Sequence, residues 1–376
     1  MWIAILGTAF VLASLGYMYL ISRFRRFGIV KKLSGGRTWL SILLAVIPLV
    51  GWVIYAFTDV VNALIILLHL ALFWLIADIV TAVADRIRGK KQDSDKSASD
   101  GKFRVYWKGI IVILACAFYL IIGWYMAHNV WKTEYHLTTE KTLPNGRLRV
   151  AMIADSHVGT TFDGEGFARY IAEIAETEPD VLVIVGDFVD DSTTYDDFVR
   201  SCAAFGELSL PYGIYYVYGN HDAGYYNHRS FDAADIEAEL AKNGVTVLKD
   251  AVNTIAENVV LIGRKDRSDE KRSAISDLVV SIPEDVYTIV LNHQPNDYEA
   301  EAAAGVDLVL SGHTHGGQLL PLGPIGRLLG ANDRTYGIET RGDTTFIVTS
   351  GISDWAIDFK TGTKSEYVII EVESSR

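Results

Sequence analysis

The chain has 376 residues, 50% of them hydrophobic, with 46 Asp and Glu against 34 Lys and Arg. That length has room for about two domains, and the charge is unevenly shared: residues 1–134 hold 15 Lys/Arg and 7 Asp/Glu, a balance of +8, which leaves −20 for the remainder. So acidic a remainder is a poor nucleic-acid partner, because affinity for a polyphosphate rests on Lys and Arg. The two cysteines, Cys116 and Cys202, lie in different surroundings and predict no disulfide.

The first part of the chain reads as a four-helix transmembrane region over residues 1–130. Apolar segments at about 2–21, 39–57, 60–84 and 109–127 each approach the ~20 residues needed to cross a bilayer. A cleavable signal peptide at the start is disfavoured, because no basic stretch precedes the apolar run and the cations follow it. Asp78 and His69 inside these segments are tolerable near a helix end or at a helix contact. Seven of the eight tryptophans precede residue 132, several at segment ends, as interfacial anchors do. The loop after the first segment carries Arg23, Arg25, Arg26, Lys31, Lys32 and Arg37, and the loop after the third is equally rich in Lys and Arg. Positive loops stay in the cytoplasm, so the expectation is a multi-pass cell-membrane protein with its N-terminus and C-terminal domain both outside. If one segment fails to span, that domain faces the cytoplasm instead. Residues 92–100 read as a solvated loop.

A linker is expected over 131–147, followed by a second domain over 148–376 in which strands alternate with helices. Residues 165–178 place Phe167, Ile171 and Ile174 on one helical face and end before Pro179. Residues 195–208 and 231–243 read similarly. Strands are expected at 245–248, 252–255, 259–262, 345–349 and 366–372. The mixture predicts two sheets with helices outside, an α/β class.

Within that domain, Ser311-Gly312-His313-Thr314-His315-Gly316-Gly317-Gln318 follows a short apolar run that reads as a buried strand. Residues two apart in an extended segment point the same way, so His313 and His315 project together, and paired imidazoles suit a transition metal. Four further apolar runs end in the same kind of chemistry. These are Asp155-Ser156-His157, Gly186-Asp187, Gly219-Asn220-His221-Asp222 and Asn292-His293. In an open α/β sheet the strand carboxyl ends share a rim where ligand sites form. A single Asp at such a junction is an ordinary turn former; five junctions of five make a site.

This ordered set, Asp-x-His, Gly-Asp, Gly-Asn-His-Asp, His and Gly-His-x-His, resembles the calcineurin-like metallophosphoesterases. It is most similar to a membrane-associated bacterial branch with the motif Gly-His-Thr-His-Gly-Gly-Gln. The resemblance covers Leu148 to the C-terminus and implies an α/β/β/α metallophosphoesterase sandwich holding two divalent ions. Mixed nitrogen and oxygen ligation admits Mn, Fe, Zn or Co, with Mn foremost. By resemblance, Asp155, His157, Asp187 and His315 hold one ion, while Asp187, Asn220, His293 and His313 hold the other, with Asp187 as the bridge. Two dications, two carboxylates and a bridging hydroxide leave one positive charge, enough to draw in a phosphate, and such a hydroxide attacks phosphorus in line. His221 then stands by the leaving oxygen as a catalyst, and Asp222 orients its ring and favours its protonated form. His69, His128, His136 and His228 are read as packing, interfacial or surface residues.

The expected activity is hydrolysis of phosphoester or pyrophosphate bonds in envelope, including lipid-linked, substrates, with the lipid bilayer as the other partner and no nucleic acid. Two alternatives stand beside it: a metal-binding membrane sensor without turnover, and a phosphodiesterase of nucleotides or nucleotide lipids facing the cytoplasm. The sequence says nothing of oligomeric state. Residues 263–272 form a cationic cluster that reads either as a clamp for an anionic headgroup or as a solvated loop. Residues 319–329 are apolar yet rich in Pro and Gly, predicting neither helix nor strand. They read as a lip dipping into lipid or as a loop covering the sheet. Residues 350–355, Ser-Gly-Ile-Ser-Asp-Trp, depart from the segment with Arg and Pro associated with this branch.

Overall fold

The computed structural model describes residues 2–88, 105–224 and 229–375. The expected solvated loop at 92–100 and His228 lie outside them. The chain divides into two compact units, residues 1–122 and 123–376.

The first unit is helical: α1 (Trp2–Phe24), α2 (Gly28–Ser34), α3 (Thr38–Ala56), α4 (Val60–Ile87) and most of α5 (Trp107–His128). Among the described residues α3, α4 and α5 are long and apolar enough to cross a membrane, and Phe10–Phe24 is a shorter apolar helical stretch. The expected segments fall on these helices, while α2, too short to show a period, was not foreseen. Leu20, Leu49, Leu67, Trp74 and Val112 pack its centre. Asp59 caps α4 by accepting from the Asn62 backbone N–H. Asp78 is paired with Arg23 at 2.7 Å and Lys108 at 2.5 Å and accepts from the Tyr19 hydroxyl at 2.8 Å, so this acid is neutralised by cations on other helices.

The second unit holds β1 (Val130–Thr139), β2 (Arg147–Ile153), α6 (Gly164–Ala175), β3 (Val181–Val185), α7 (Tyr195–Gly206), β4 (Ile214–Val217), α8 (Ala233–Lys242), β5 (Val245–Leu248), β6 (Ala251–Ala256), β7 (Val259–Gly263), α9 (Ile275–Val279), β8 (Tyr287–Leu291), α10 (Tyr298–Ala303), β9 (Leu308–Ser311), α11 (Leu322–Leu328), β10 (Gly337–Arg341), β11 (Thr344–Val348) and β12 (Ser365–Ser374). They form two six-stranded sheets, ordered β1-β12-β2-β3-β4-β5 and β10-β11-β9-β8-β7-β6. β2, β3 and β4 run parallel to one another, as do β7, β8 and β9. These strands are near-continuous apolar runs because both faces are covered. Val150, Met152, Val183 and Val185 meet Leu261, Ile289 and Leu310 between the sheets. The outer face of the first sheet packs Phe167, Phe198 and Leu240 of α6, α7 and α8. The outer face of the second packs Ile275 of α9 and Tyr298 of α10. The result is the expected α/β/β/α sandwich.

Two expectations change. The stretch read as a linker, 131–147, is mostly β1, paired in parallel with β12 from Val130–Ser365 to Thr139–Ser374. Its alternation of half-buried and exposed residues is that of an edge strand, and its partner lies over 200 residues away. The stretch 319–329 contains the helix α11. Pro321 is its N-cap and Pro324 falls in its first turn, where a missing N–H breaks no intrahelical bond.

Candidate metal centre

The carboxyl ends of the central strands of both sheets meet at one edge of the sandwich. β2, β3 and β4 lead into Asp155-Ser156-His157, Asp187 and Asn220-His221; β8 and β9 lead into His293 and into His313 and His315. These junctions, expected along the rim of one sheet, are divided between two. Ligand atoms of Asp155, His157 and His315 lie within 4.8 Å of one another, and so do those of Asp187, His293 and His313. Asp187 Oδ2 is 3.1 Å from His293 Nε2 and 3.8 Å from His157 Nε2, one residue from each set. Asn220 lies in the same loop, between Gly219 and His221.

The backbone is bent to achieve this. Asp155, His157, Asp187, His313 and His315 all have positive φ, between 36° and 67°, a costly conformation for residues with a Cβ that survives where the surroundings over-determine it. Close approach also demands glycine. A Cβ on Gly219 would lie 2.1 Å from Asp187 Oδ1, and one on Gly312 would lie 2.4 Å from Asp155 Oδ2.

Outer contacts orient the imidazoles. His293 Nδ1 lies 2.8 Å from the Val185 carbonyl and His315 Nδ1 lies 3.3 Å from the Ser353 carbonyl, so in each ring Nδ1 carries the proton and Nε2 keeps its lone pair for a cation. His157 Nδ1 faces Asp190 Oδ2 at 3.2 Å. Nothing in the sequence sets Asp190 apart, since an acid three residues after Asp187 looks like any loop acid. Although buried, His157 Nε2 and His293 Nε2 make no hydrogen bond. Buried imidazole nitrogens converging on buried carboxylates are a mixed nitrogen and oxygen donor set that fits two divalent ions.

The charges agree. Burial would push His293 down, yet Asp187 beside it carries it up to about 10. Burial lifts Asp155 to about 6, against the pull of His293. Asp187 is held low, its burial outweighed by His293 and His157. His313 is lowered to about 4, chiefly by burial and then by His293. A cation held by this set would take the place of the proton that Asp187 draws to His293 and leave Nε2 its lone pair.

His221 donates its backbone N–H to Asp187 Oδ1 at 2.8 Å. Its ring lies 5.0 Å from that of His157 and 5.1 Å from that of Trp355. Burial lowers its pKa, opposed by Asp187. Asp222, expected to orient this ring, is engaged by backbone amides. Its Oδ2 accepts from the amides of Asp187 at 2.8 Å and Gly219 at 2.7 Å, and its Oδ1 accepts from those of Phe188 at 2.8 Å and Val189 at 3.1 Å. A buried carboxylate answering four amides shapes the loop that carries Asp187, while burial of His221 works against the protonated form expected for it.

The cationic stretch divides: residues 267–271 are exposed, as in a solvated loop, while the cations at its two ends are drawn into ion pairs. Arg264 is buried against Glu301 at 2.9 Å, and Arg272 reaches Asp297 and Asn292, each at 2.7 Å. Only Arg267 and Lys271 of its cations are exposed. Residues 350–354 instead line the centre: the Ile352 and Ser353 amides donate to the carbonyls of Ala154 and Asp155 at 3.0 and 3.2 Å.

A family profile described as calcineurin-like phosphoesterase matches residues 148–317. A metallophosphoesterase of Aquifex aeolicus is 34% identical over 226 residues, spanning 58% of this chain and 81% of its own. The chain belongs to the calcineurin-like metallophosphoesterases. It is also similar to the Bacillus subtilis metallophosphoesterase YkuE, 26% identical over 265 residues that cover 67% of this chain and 88% of that one. A Danio rerio transmembrane protein with metallophosphoesterase domain is 25% identical over 313 residues, 77% of this chain and 68% of its own. As a calcineurin-like metallophosphoesterase the chain is a phosphoester hydrolase of a family that uses paired divalent metals, and it carries helices able to cross a membrane.

Proposed function

We propose that this is a multi-pass membrane enzyme of the branch marked by Gly312-His313-Thr314-His315-Gly316-Gly317-Gln318. It hydrolyses phosphoester or pyrophosphate bonds of lipid-linked envelope substrates outside the cytoplasm. The observation that carries the hydrolytic part is the pair of ligand sets, Asp155/His157/His315 and Asp187/His293/His313, flanking one carboxylate. Asp187 bridges the two sets, Asn220 completes the second, and manganese is the ion. When bound, such a pair lowers the pKa of a water and neutralises charge on the phosphoryl oxygens. The chain's own residues do the rest. His293 and His315 keep Nε2 directed inward through their carbonyl contacts, Asp190 holds the His157 ring, and His221 stabilises the leaving oxygen. The outward placement is supported by the Arg and Lys between α1 and α3 and around Arg86 and Arg88, with α1 as a fourth span. That placement speaks against a cytoplasmic nucleotide substrate, and the complete ligand set speaks against a sensor without turnover.

Hydrolysis of bis(p-nitrophenyl) phosphate with added manganese tests the activity. Asp187→Ala is expected to lose both metal and turnover, and His221→Ala to keep metal and lose rate. Full activity in both variants overturns the reading. Alkaline phosphatase against green fluorescent protein, each fused after Arg376, tests the side: only the phosphatase fusion is expected to be active.

A further inference from the structure

α11 is an unpartnered apolar surface within an acidic unit. Leu328 is 85% exposed, Leu329 78% and Leu322 54%, with Leu320 and Ile325 also exposed. This density of large exposed side chains within ten residues is not met elsewhere among the described residues of this unit. Soluble surfaces rarely carry such a patch without a partner. The patch adjoins the loop that carries the histidine pair: a cavity of about 700 Å³ is lined by Leu320 and Leu328 together with Gly316 and Gly317, which follow His315.

What covers this face follows from how it is tied to α5. The last part of α5, from Gly123, belongs to the second unit. The Lys360 amide donates to the Gly123 carbonyl at 2.9 Å, and the Ser365 hydroxyl donates to the Ala127 carbonyl at 2.6 Å. The same segment continues into the lip: the Thr361 amide donates to the Gln318 carbonyl at 2.8 Å, and the Leu320 amide donates to Thr361 Oγ1 at 3.0 Å. The lip is thus joined through one short segment to the end of a membrane-length helix. That helix end carries exposed Trp124 and Tyr125, followed by Trp131, the aromatic pattern of a bilayer interface. Two cations lie nearby: Arg327 on α11 is largely exposed, its guanidinium 4.0 Å from Glu339, and the Lys364 ammonium lies 5.9 Å over the Trp131 ring. Apolar side chains flanked by cations beside an aromatic belt match the boundary of an anionic bilayer.

We infer that Leu320, Leu322, Ile325, Leu328 and Leu329 form a second membrane contact, seated in the headgroup and acyl boundary beside the exit of α5. It holds the loop that follows His315 against the lipid surface. The inference rests on the membrane part of the proposed function, and it makes phosphoesters at the bilayer surface the substrates within reach.

The test uses the full chain in nanodiscs of phosphatidylethanolamine and phosphatidylglycerol, with a nitroxide on Leu328→Cys and, as control, on Val280→Cys at the end of α9. Both native positions are highly exposed, so neither change disturbs the core, and the native cysteines are buried, so the unsubstituted chain gives the labelling blank. Accessibility to oxygen relative to a water-soluble nickel chelate is expected to be several-fold higher at 328 than at 280. Equal ratios overturn the inference, because the lip is then in water. Shielding of position 328 from both reagents overturns it too, because a protein surface or second copy then covers the face. Turnover of bis(p-nitrophenyl) phosphate by the same samples reports the enzyme reading separately.

Discussion

Lys360 Nζ lies 3.3 Å from Asp354 Oδ1 with both side chains buried, and the same ammonium donates to the carbonyls of Ser350 at 2.8 Å and Ser353 at 3.0 Å. It therefore clamps the strap whose Ser353 carbonyl faces His315 Nδ1 and whose Ser353 amide donates to the Asp155 carbonyl. A lone lysine in a loop gives no hint of this role. Lys360→Met leaves Asp354 buried without its cation and is expected to cost about 3–5 kcal/mol of stability. Urea unfolding of the detergent-solubilised chain measures it. Lys360→Met with Asp354→Leu should recover part of the loss, and unchanged stability in the single variant would show that backbone bonds alone hold the strap.

Asp222 and His221 are neighbours in sequence with separable tasks. Asp222→Ala strands four buried amides and is expected to lower stability by about 3 kcal/mol or more, besides abolishing turnover. His221→Ala is expected to change stability by less than about 1 kcal/mol. Thermal unfolding of the two variants side by side decides it; equal, small shifts would return Asp222 to the role of ring orienter.

Asp190→Asn tests the support of His157. Loss of the carboxylate facing Nδ1 is expected to weaken metal binding about 10–100-fold while the fold persists. Competition of manganese with a chelator, read by metal analysis and by turnover, measures the shift. An unchanged metal titration would make Asp190 a loop acid only.

The pair Arg264 and Glu301 supports the start of the loop that carries His293, since Glu301 also accepts from the Asn292 side-chain amide at 2.9 Å. Arg264→Ala is expected to destabilise by about 3–5 kcal/mol, since it leaves Glu301 buried and unpaired. The exposed Arg267→Ala should stay within about 0.5 kcal/mol. A rise in KM with Arg267→Ala would revive the anion-clamp reading of this loop.

Gly219→Ala brings a Cβ to within 2.1 Å of Asp187 Oδ1, so the carboxylate between the two ligand sets must move. Loss of turnover with retained secondary structure by circular dichroism is the expected result. Retained activity would mean that Asp187 tolerates displacement and does not bridge.

The residues that meet at the candidate centre were legible because each follows a buried strand. Such a strand is an uninterrupted apolar run, and it must end in a loop at the sheet rim, so Asp155, Asp187, His293 and the His313/His315 pair declare both their chemistry and their place. The apolar helices α3, α4 and α5 were legible for a similar reason: a bilayer requires some twenty apolar residues in a row, and such a requirement is written along the chain. Other features became visible only in three dimensions. The strand β1 depends on β12, over 200 residues away; Asp190 and Asp222 look like any loop acid until the rings and amides they face are in place; Lys360 and Arg264 look like surface cations until Asp354 and Glu301 enclose them. Local pattern records what a residue needs from its immediate neighbours or from solvent, whereas the partners of Asp190, Asp222, Arg264 and β1 come from other parts of the chain, and those of Lys360 from a strap that folds back on it, so that packing alone supplies them.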